Sequence, residues 1–524
     1  MEMKVLVADE ISKSGLEMLR AEGYEVDVKT GLDEAELSSV IDDYEVLIVR
    51  SATKATRKVI ESSRLRVIGR AGIGVDNIDV AAATERGILV MNAPSGNVVS
   101  TAELTIGVIF ALARRIAEAD ASMRRGEWKR KEFKGTQVAG KTLGIVGLGR
   151  VGAEVAKRAA ALGTTVIAYD PLVSPEVGVK LHVRLVSLER LLQESDFVSM
   201  HTPLTPQTKD LIGRNELAKM KKTAVIINCA RGGVVNEDAL FEALSQKAIA
   251  GAALDVYIKE PPKDSPLLTL PNIVLTPHLG ATTLEAQEEV GAEIAEQIIA
   301  YLKDNVIKNA INLPAELDPE IVPYMPIAEK LGTLTSQLGQ CSAGKIEVSC
   351  RGELAQKDIR IITASVMTGM LKAMSEEHNV NYINAVELAK DRGIEVVSST
   401  SDEAGQYKNL IRVLLNANGE TTSAAGTLYL DKGPRIVEIN GSIVDIEPEG
   451  NFLLIGHEDK PGMIGSVGTV LGSNDVNIAS MEVARKKARG PATMILHIDE
   501  ELSPETLEKV RAIPNLKSAT YIRL

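Results

Sequence analysis

Aromatic side chains are scarce, 3% of the 524 residues, with one Trp and five Phe. A core built without them relies on Ala, Val, Ile and Leu, which suits layered α/β units. Cysteine is nearly absent. Cys229, Cys341 and Cys350 are odd in number and lack CxxC spacing, so neither a disulfide framework nor a metal site is expected. A reducing, cytoplasmic setting fits them. Nowhere do about 18 apolar residues run uninterrupted, and MEMKVLVADE lacks the basic-then-apolar order of a secretory leader, so no membrane association is expected. Basic charge is also in deficit, with a net charge of −12. That argues against a nucleic-acid partner, because phosphate backbones need a basic field. A small anionic substrate is still admitted, since it needs only a few cations in one cleft.

What is present is alternation. KVLVADE, YEVDVK, EVLIVR, RVIGRAG and ILVMNAP are strand-like, with helix-like segments such as KSGLEMLRAEG between them. This pattern predicts a parallel sheet with helices on both faces. A long helix is expected over 100–125, opened by STAE as a capping box. A second series runs from KTLGIVG to NIVLTPH and ends in a helical stretch over 284–303. The pattern thus predicts two lobes with a cleft between them. Pro314, Pro319, Pro323 and Pro326 mark a linker over 313–326. Beyond it, 328–450 reads as mixed α+β, where Lys432 and Arg435 could bind an anion or sit in solvent. The last segment, 451–524, has the βαββαβ order of a ferredoxin-like domain.

Gly147-Leu148-Gly149-Arg150-Val151-Gly152 is a GxGxxG whose context gives it weight. It follows the strand TLGIV and opens the helix AEVAKRAAAL. The next strand, TTVIAY, ends in Asp170, about 20 residues on, as dinucleotide binding requires. Gly147 would permit the turn, Gly149 the approach of a pyrophosphate, and Gly152 close helix–strand packing. Asp170 would accept hydrogen bonds from ribose hydroxyls and repel a 2′-phosphate, which favours NAD over NADP. Gly72-Ile73-Gly74 also follows a strand but lacks the third glycine and a following acidic strand end. It reads as either a plain turn or a close approach to a small ligand.

Arg231, Glu260 and His278 each follow a strand of the second lobe, at the end where open α/β sheets bind ligands. Oxidising a C–OH by hydride transfer needs a base for the hydroxyl proton and a cation for the substrate carboxylate. His278 suits the first role and Arg231 the second. Glu260 beside the imidazole would orient it and stabilise its protonated form. Position after a strand in the cofactor lobe sets His278 above His182, His378 and His497, while His201 also ends a strand and stays the alternative acid/base.

GLGRVG, Asp170, MHTPLTPQT, NCARGGVVNEDAL, AALDVYIKEPP and TPHLGATT, in this order, resemble the D-isomer-specific 2-hydroxyacid dehydrogenase family. The resemblance spans about 1–312. It implies two Rossmann-like lobes, catalysis by Arg231, Glu260 and His278, and NAD contacts at Gly147, Gly149, Arg150, Val151, Gly152, Asp170, Thr202, Cys229, Ala230, Asp255 and Gly280. The implied organisation is a discontinuous substrate lobe (1–97 and 285–312), an NAD lobe (98–284), an intervening α+β domain (313–450) and an ACT domain (451–524).

VRSATK, GRAGIGVDNID and the tail HEDKPGMIGSVGTVLGSNDVNIASMEVAR resemble the branch of that family acting on D-3-phosphoglycerate. This branch implies substrate contacts at Arg50, Ser51, Lys54, Arg70, Gly72, Ile73 and Gly74; position 73 is Ile where some relatives carry Thr. It further implies L-serine as effector, bound between two ACT domains by His457, Asp459 and Asn477, and a homo-oligomer (dimer or tetramer) in which Trp128-Lys129-Arg130-Lys131 reaches a neighbour's cleft. Two other readings are a dehydrogenase of a different D-2-hydroxy acid and an NAD-sensing scaffold, since the family fold also serves corepressors.

Overall fold

The computed structural model describes residues 3–339, 344–374, 379–417, 419–429, 431–485, 487 and 489–524; Cys341 and His378 lie outside them. The first lobe holds β1 Lys4–Val7, β2 Glu25–Val28, β3 Val46–Val49, β4 Val67–Arg70 and β5 Leu89–Asn92, all parallel in the order β2-β1-β3-β4-β5. The second holds β6 Thr142–Val146, β7 Thr165–Tyr169, β8 Arg184–Leu185, β9 Phe197–Met200, β10 Val225–Asn228, β11 Gly251–Leu254 and β12 Ile273–Leu275. Its order is β12-β11-β10-β9-β6-β7-β8, so strand order reverses between β6 and β9 and opens a crevice at their carboxyl ends. Helices cover both faces of these sheets, which is why β3 and β5 are buried along their whole length rather than alternating.

The helix Leu284–Asp304 leaves the second lobe and packs on the first. Its Val290, Ile294, Ala295 and Ile298 share a core with Val5, Val46, Ile48 and Leu89. The approach is close: a Cβ on Gly15 would lie 2.5 Å from the Gly291 carbonyl oxygen.

The helix expected over 100–125 is two helices, Val98–Ala113 and Ile116–Arg124, broken where Arg115 turns left-handed (φ 53°). The capping box expected of STAE is also absent. The helix starts earlier, at an N-cap Asn97 with no side-chain cap. The Ser100 and Thr101 hydroxyls instead donate to the Gly280 carbonyl at 2.7 and 3.0 Å, tying this helix to the loop after β12.

The third sheet, β14-β13-β15-β16-β17-β18, is mixed. Its strands are β13 Lys345–Gly352, β14 Glu395–Ser401, β15 Asn409–Ala417, β16 Glu420–Tyr429, β17 Gly433–Ile439 and β18 Ser442–Ile446. Helices Met325–Gly339 and Arg360–Met374 supply the rest of its core. The proline-rich segment expected as a linker is partly built into this core, through Ala315, Ile321 and Tyr324. Lys432 and Arg435 face Asp445 and Glu447 at 3.2–3.9 Å, so both are paired cations.

The C-terminal unit is βαββαβ: β19 Asn451–Glu458, helix Met463–Gly472, β20 Ile478–Arg485, β21 Pro491–Ile498, helix Pro504–Arg511 and β22 Leu516–Arg523. Its antiparallel order is β20-β21-β19-β22. Period 2 divides β19 between two cores: Leu453 and Ile455 face the unit's own helices, while Phe452 and Leu454 join the core of the third sheet. Among the described residues no helix is long and apolar enough to cross a membrane.

Candidate active site

The crevice between the first two lobes holds a cavity of about 350 Å³ and a second of about 390 Å³ that shares Arg70 and His278 with it. The glycine loop after β6 forms one wall. Gly147 is left-handed (φ 94°), and a Cβ there would meet the His201 carbonyl oxygen at 2.6 Å; one on Gly152 would meet the Gly147 oxygen at 2.1 Å. A Cβ on Gly149 would meet nothing within 4 Å. The first and third glycines are therefore demanded by the protein itself, while space is left at the middle one. The helix Arg150–Ala161 has no side-chain N-cap, so its first N–H groups face that space. Two buried polar atoms on the cavity wall, Thr202 Oγ1 and Asn97 Oδ1, lack a protein partner. This donor and acceptor set fits a dinucleotide.

Asp170 immediately follows β7 beside the loop, accepting from the Leu148 N–H (2.8 Å) and the Leu172 N–H (2.9 Å). Each carboxylate oxygen keeps acceptor capacity for a ribose hydroxyl. Cys229, Ala230 and Gly280 line the same cavity; burial pushes the Cys229 thiol up to about 12, so it stays a neutral wall group.

His278 Nδ1 donates to Glu260 Oε2 at 2.8 Å. Burial opposes the Glu260 carboxylate, but His278, the Tyr257 N–H and Arg231 outweigh it and hold its pKa below the usual range. The backbone of His278 is left-handed (φ 55°), an uncommon state for a side chain with a Cβ. Asp255, 1% exposed, fixes it. Its carboxylate accepts from Thr276 Oγ1 (2.6 Å), the Leu279 N–H (2.7 Å) and the Gly280 N–H (2.9 Å). Expected as a cofactor contact, Asp255 also positions the histidine loop. His201 also lines this cavity, but burial draws its pKa down to about 4 and its Nε2 bonds Ser199 Oγ at 2.8 Å, which disfavours it against His278 as the acid/base.

Three models of known families match in order: D-isomer specific 2-hydroxyacid dehydrogenase, NAD binding domain, over 106–280; the D-3-phosphoglycerate dehydrogenase intervening domain over 320–440; and the ACT domain over 452–515. The D-3-phosphoglycerate dehydrogenase of Methanocaldococcus jannaschii is 46% identical over 100% of both chains, and that of Bacillus subtilis 41% over 99% of each. The chain belongs to the D-isomer-specific 2-hydroxyacid dehydrogenase family. Solved structures agree over 59% of the chain: a Thermus thermophilus protein (39% identity, TM-score 0.55, 100% of that chain) and the Staphylococcus aureus NAD-dependent formate dehydrogenase with NAD (31%, 0.54, 99%). It is an NAD-dependent dehydrogenase.

The dehydrogenase's first lobe contributes a cluster of cations. Arg50 and Ser51, after β3, and Arg70, the end of β4, line the cleft opposite His278 and Glu260. Burial and the charges of Arg231 and Arg50 pull the Arg70 guanidinium down to about 10, and its Nε is buried without a partner. A buried cation beside like charges is a site prepared for an anion. Gly72 and Gly74 have a role that the linear motif does not reveal. A Cβ on Gly72 would lie 1.5 Å from Arg70 Nη1, and one on Gly74 2.1 Å from Arg231 Nη2. The two glycines make room for the arginines, and Ile73 lines the cavity between them. Lys54 is exposed and lines neither cavity. Asp76, for which the sequence suggests no role, faces Arg231 Nε at 3.2 Å.

In the C-terminal unit His457 is 2% exposed; Nδ1 donates to the Glu458 carbonyl at 2.9 Å and Nε2 is buried without a partner. Asp459 is already engaged by Arg485 Nη1 (2.6 Å) and the Arg489 N–H (3.1 Å). Asn477 immediately precedes β20 rather than lying in it, and its Nδ2 donates to Asp499 at 2.6 Å.

Proposed function

We propose that this dehydrogenase oxidises D-3-phosphoglycerate to 3-phosphohydroxypyruvate, the entry step of L-serine synthesis, and that Arg231, Glu260 and His278 carry the chemistry. The observation that bears most weight is the convergence of Arg50, Arg70 and Arg231 on the His278–Glu260 pair in one cleft. A substrate with a carboxylate at one end and a phosphate at the other matches that charge. The relatives' names favour the same substrate.

NAD, held by the Gly147–Gly152 loop, Asp170, Thr202, Cys229, Ala230, Asp255 and Gly280, supplies the hydride acceptor when bound. Arg231 takes the substrate carboxylate through a guanidinium fork. With Nδ1 committed to Glu260, His278 presents Nε2 to the C2 hydroxyl and removes its proton as the hydride departs. Glu260 stabilises the imidazolium that results. Arg50 and Arg70 hold the phosphate end, while Lys54 is exposed and lines neither cavity.

Regulation by L-serine between two ACT domains is supported by the unpartnered, buried His457 Nε2, with Asp459 and Asn477 exchanging their present partners for the ligand. A homo-oligomer is supported by Trp128, 79% exposed. Free, buried thiols at Cys229 and Cys350 fit a reducing, cytoplasmic compartment.

The test is NADH oxidation with a panel of 2-keto acids with and without a terminal phosphate. 3-Phosphohydroxypyruvate should give the highest kcat/KM, by roughly 10–100-fold, the worth of one or two charge-assisted hydrogen bonds. A preference for an unphosphorylated acid overturns the assignment of substrate.

A further inference from the structure

Asp76 belongs to the substrate lobe and Arg231 to the NAD lobe, so their 3.2 Å pair crosses the cleft. It is built rather than incidental. Gly74 leaves the space in which it forms: a Cβ there would stand 2.1 Å from Arg231 Nη2 and 3.0 Å from Asp76 Oδ2. The remaining bond of the guanidinium, Nη1 to the Ala230 carbonyl at 2.7 Å, points Nε and Nη2 toward the cleft. Asp76 therefore offers Arg231 the same group, a carboxylate, that a 2-hydroxy acid would bring. One guanidinium edge takes a single carboxylate bidentately. The Asp76 carboxylate is 72% exposed, so it can swing into water at little cost.

We propose that Asp76 is an internal stand-in for the substrate carboxylate: it holds Arg231 aimed into the cleft and is exchanged for the substrate on binding. This inference rests on the reading of Arg231 as the carboxylate fork. The exchange sharpens specificity. A lone small anion must displace a carboxylate already in place, whereas a substrate anchored at Arg50 and Arg70 does so with its far end already held. Asp76 is thus a positioning residue acting through Arg231.

The experiment compares the full-length wild type with Asp76→Asn and Asp76→Glu. Two quantities are read: KM and kcat for the preferred 2-keto acid, and the Kd of oxalate for the NADH-loaded enzyme, followed by NADH fluorescence. Asp76→Asn should lower both KM and the oxalate Kd by about 2–5-fold, the worth of an exposed ion pair, with KM changing more than kcat. Asp76→Glu should restore both toward wild type. A rise in KM and Kd would mean that Asp76 serves only to aim Arg231, and unchanged values would mean that the pair is idle; either result overturns the proposal. Should the wild type prefer an unphosphorylated acid, the phosphoglycerate assignment fails alone, because the carboxylate exchange is read with that acid and with oxalate in the same way.

Discussion

At the scale of single residues the site is governed by which atoms are already committed. His278 Nδ1 is held by Glu260, so only Nε2 is free to move a proton. His278→Ala should lower kcat by about 10²–10⁴-fold, the range of general acid–base catalysis, with NADH affinity by fluorescence titration nearly unchanged. Retention of more than about a tenth of wild-type kcat would remove His278 from the proton-transfer role. Asp170→Ala should weaken NAD and narrow the preference over NADP, since an acceptor and a repulsive charge are lost together. The loop contacts to Leu148 and Leu172 add a second expected effect, a lower Tm in the absence of cofactor. An unchanged NAD/NADP ratio would show that Asp170 does not face the ribose. Arg231, Glu260 and His278, proposed to carry the chemistry, stand out in the sequence because each follows a strand in a lobe of recognisable order, and the cleft brings them together. Asp76 does not stand out, because a lone Asp in a turn looks the same whether it meets solvent or an arginine from another lobe.

Elements decide where a motif's residues have freedom. The glycine loop joins strand and helix so tightly that a Cβ on Gly152 would strike the Gly147 backbone, whereas one on Gly149 would meet nothing within 4 Å. Gly152→Ala should overpack that junction and cost about 1–3 kcal/mol, read as a fall in Tm. Gly149→Ala should keep Tm and weaken NAD binding, because its methyl group would enter ligand space. Equal loss of Tm in both variants would contradict this division. The strand–loop–helix order could be read from apolar periodicity, and so could the helix after β12. The break at Arg115 could not: a left-handed arginine leaves no trace in hydrophobic spacing. The Ser100–Thr101 pair likewise looked like a cap, but its hydroxyls are drawn to Gly280 by tertiary contact, which outweighs the local preference.

For the whole molecule, the C-terminal unit is not a detachable appendage. Phe452, Leu454, Ile495 and Ile522 complete the core of the third sheet. That domain in turn inserts Ile383 and Tyr382 against the first lobe's core, with Asn381 Nδ2 donating to the Gly87 carbonyl at 2.8 Å. β19, whose end carries His457, is thus packed into a core that reaches the first lobe, though allostery further requires that an effector bind two states unequally. Truncation at Gly450 would expose core surface, so control is better read by substitution in the full chain. Serine should inhibit without competing with phosphoglycerate, and His457→Ala should raise the inhibitory concentration by about tenfold or more while turnover persists. Inhibition that competes with substrate, or that His457→Ala leaves intact, would place serine elsewhere.

The sequence alone determined the alternating α/β lobes, the cofactor loop, the candidates for proton transfer and carboxylate binding, and the βαββαβ tail. All of these are written in short-range periodicity and in loop chemistry next to strand ends. Only the tertiary structure decided that Gly72 and Gly74 serve arginines, that Asp255 holds the histidine loop, that Asp76 reaches Arg231 across the cleft, and that β19 lies between two cores. Each depends on which distant surface a side chain meets. That choice is made when lobes and sheets pack, and a one-dimensional pattern carries no record of it.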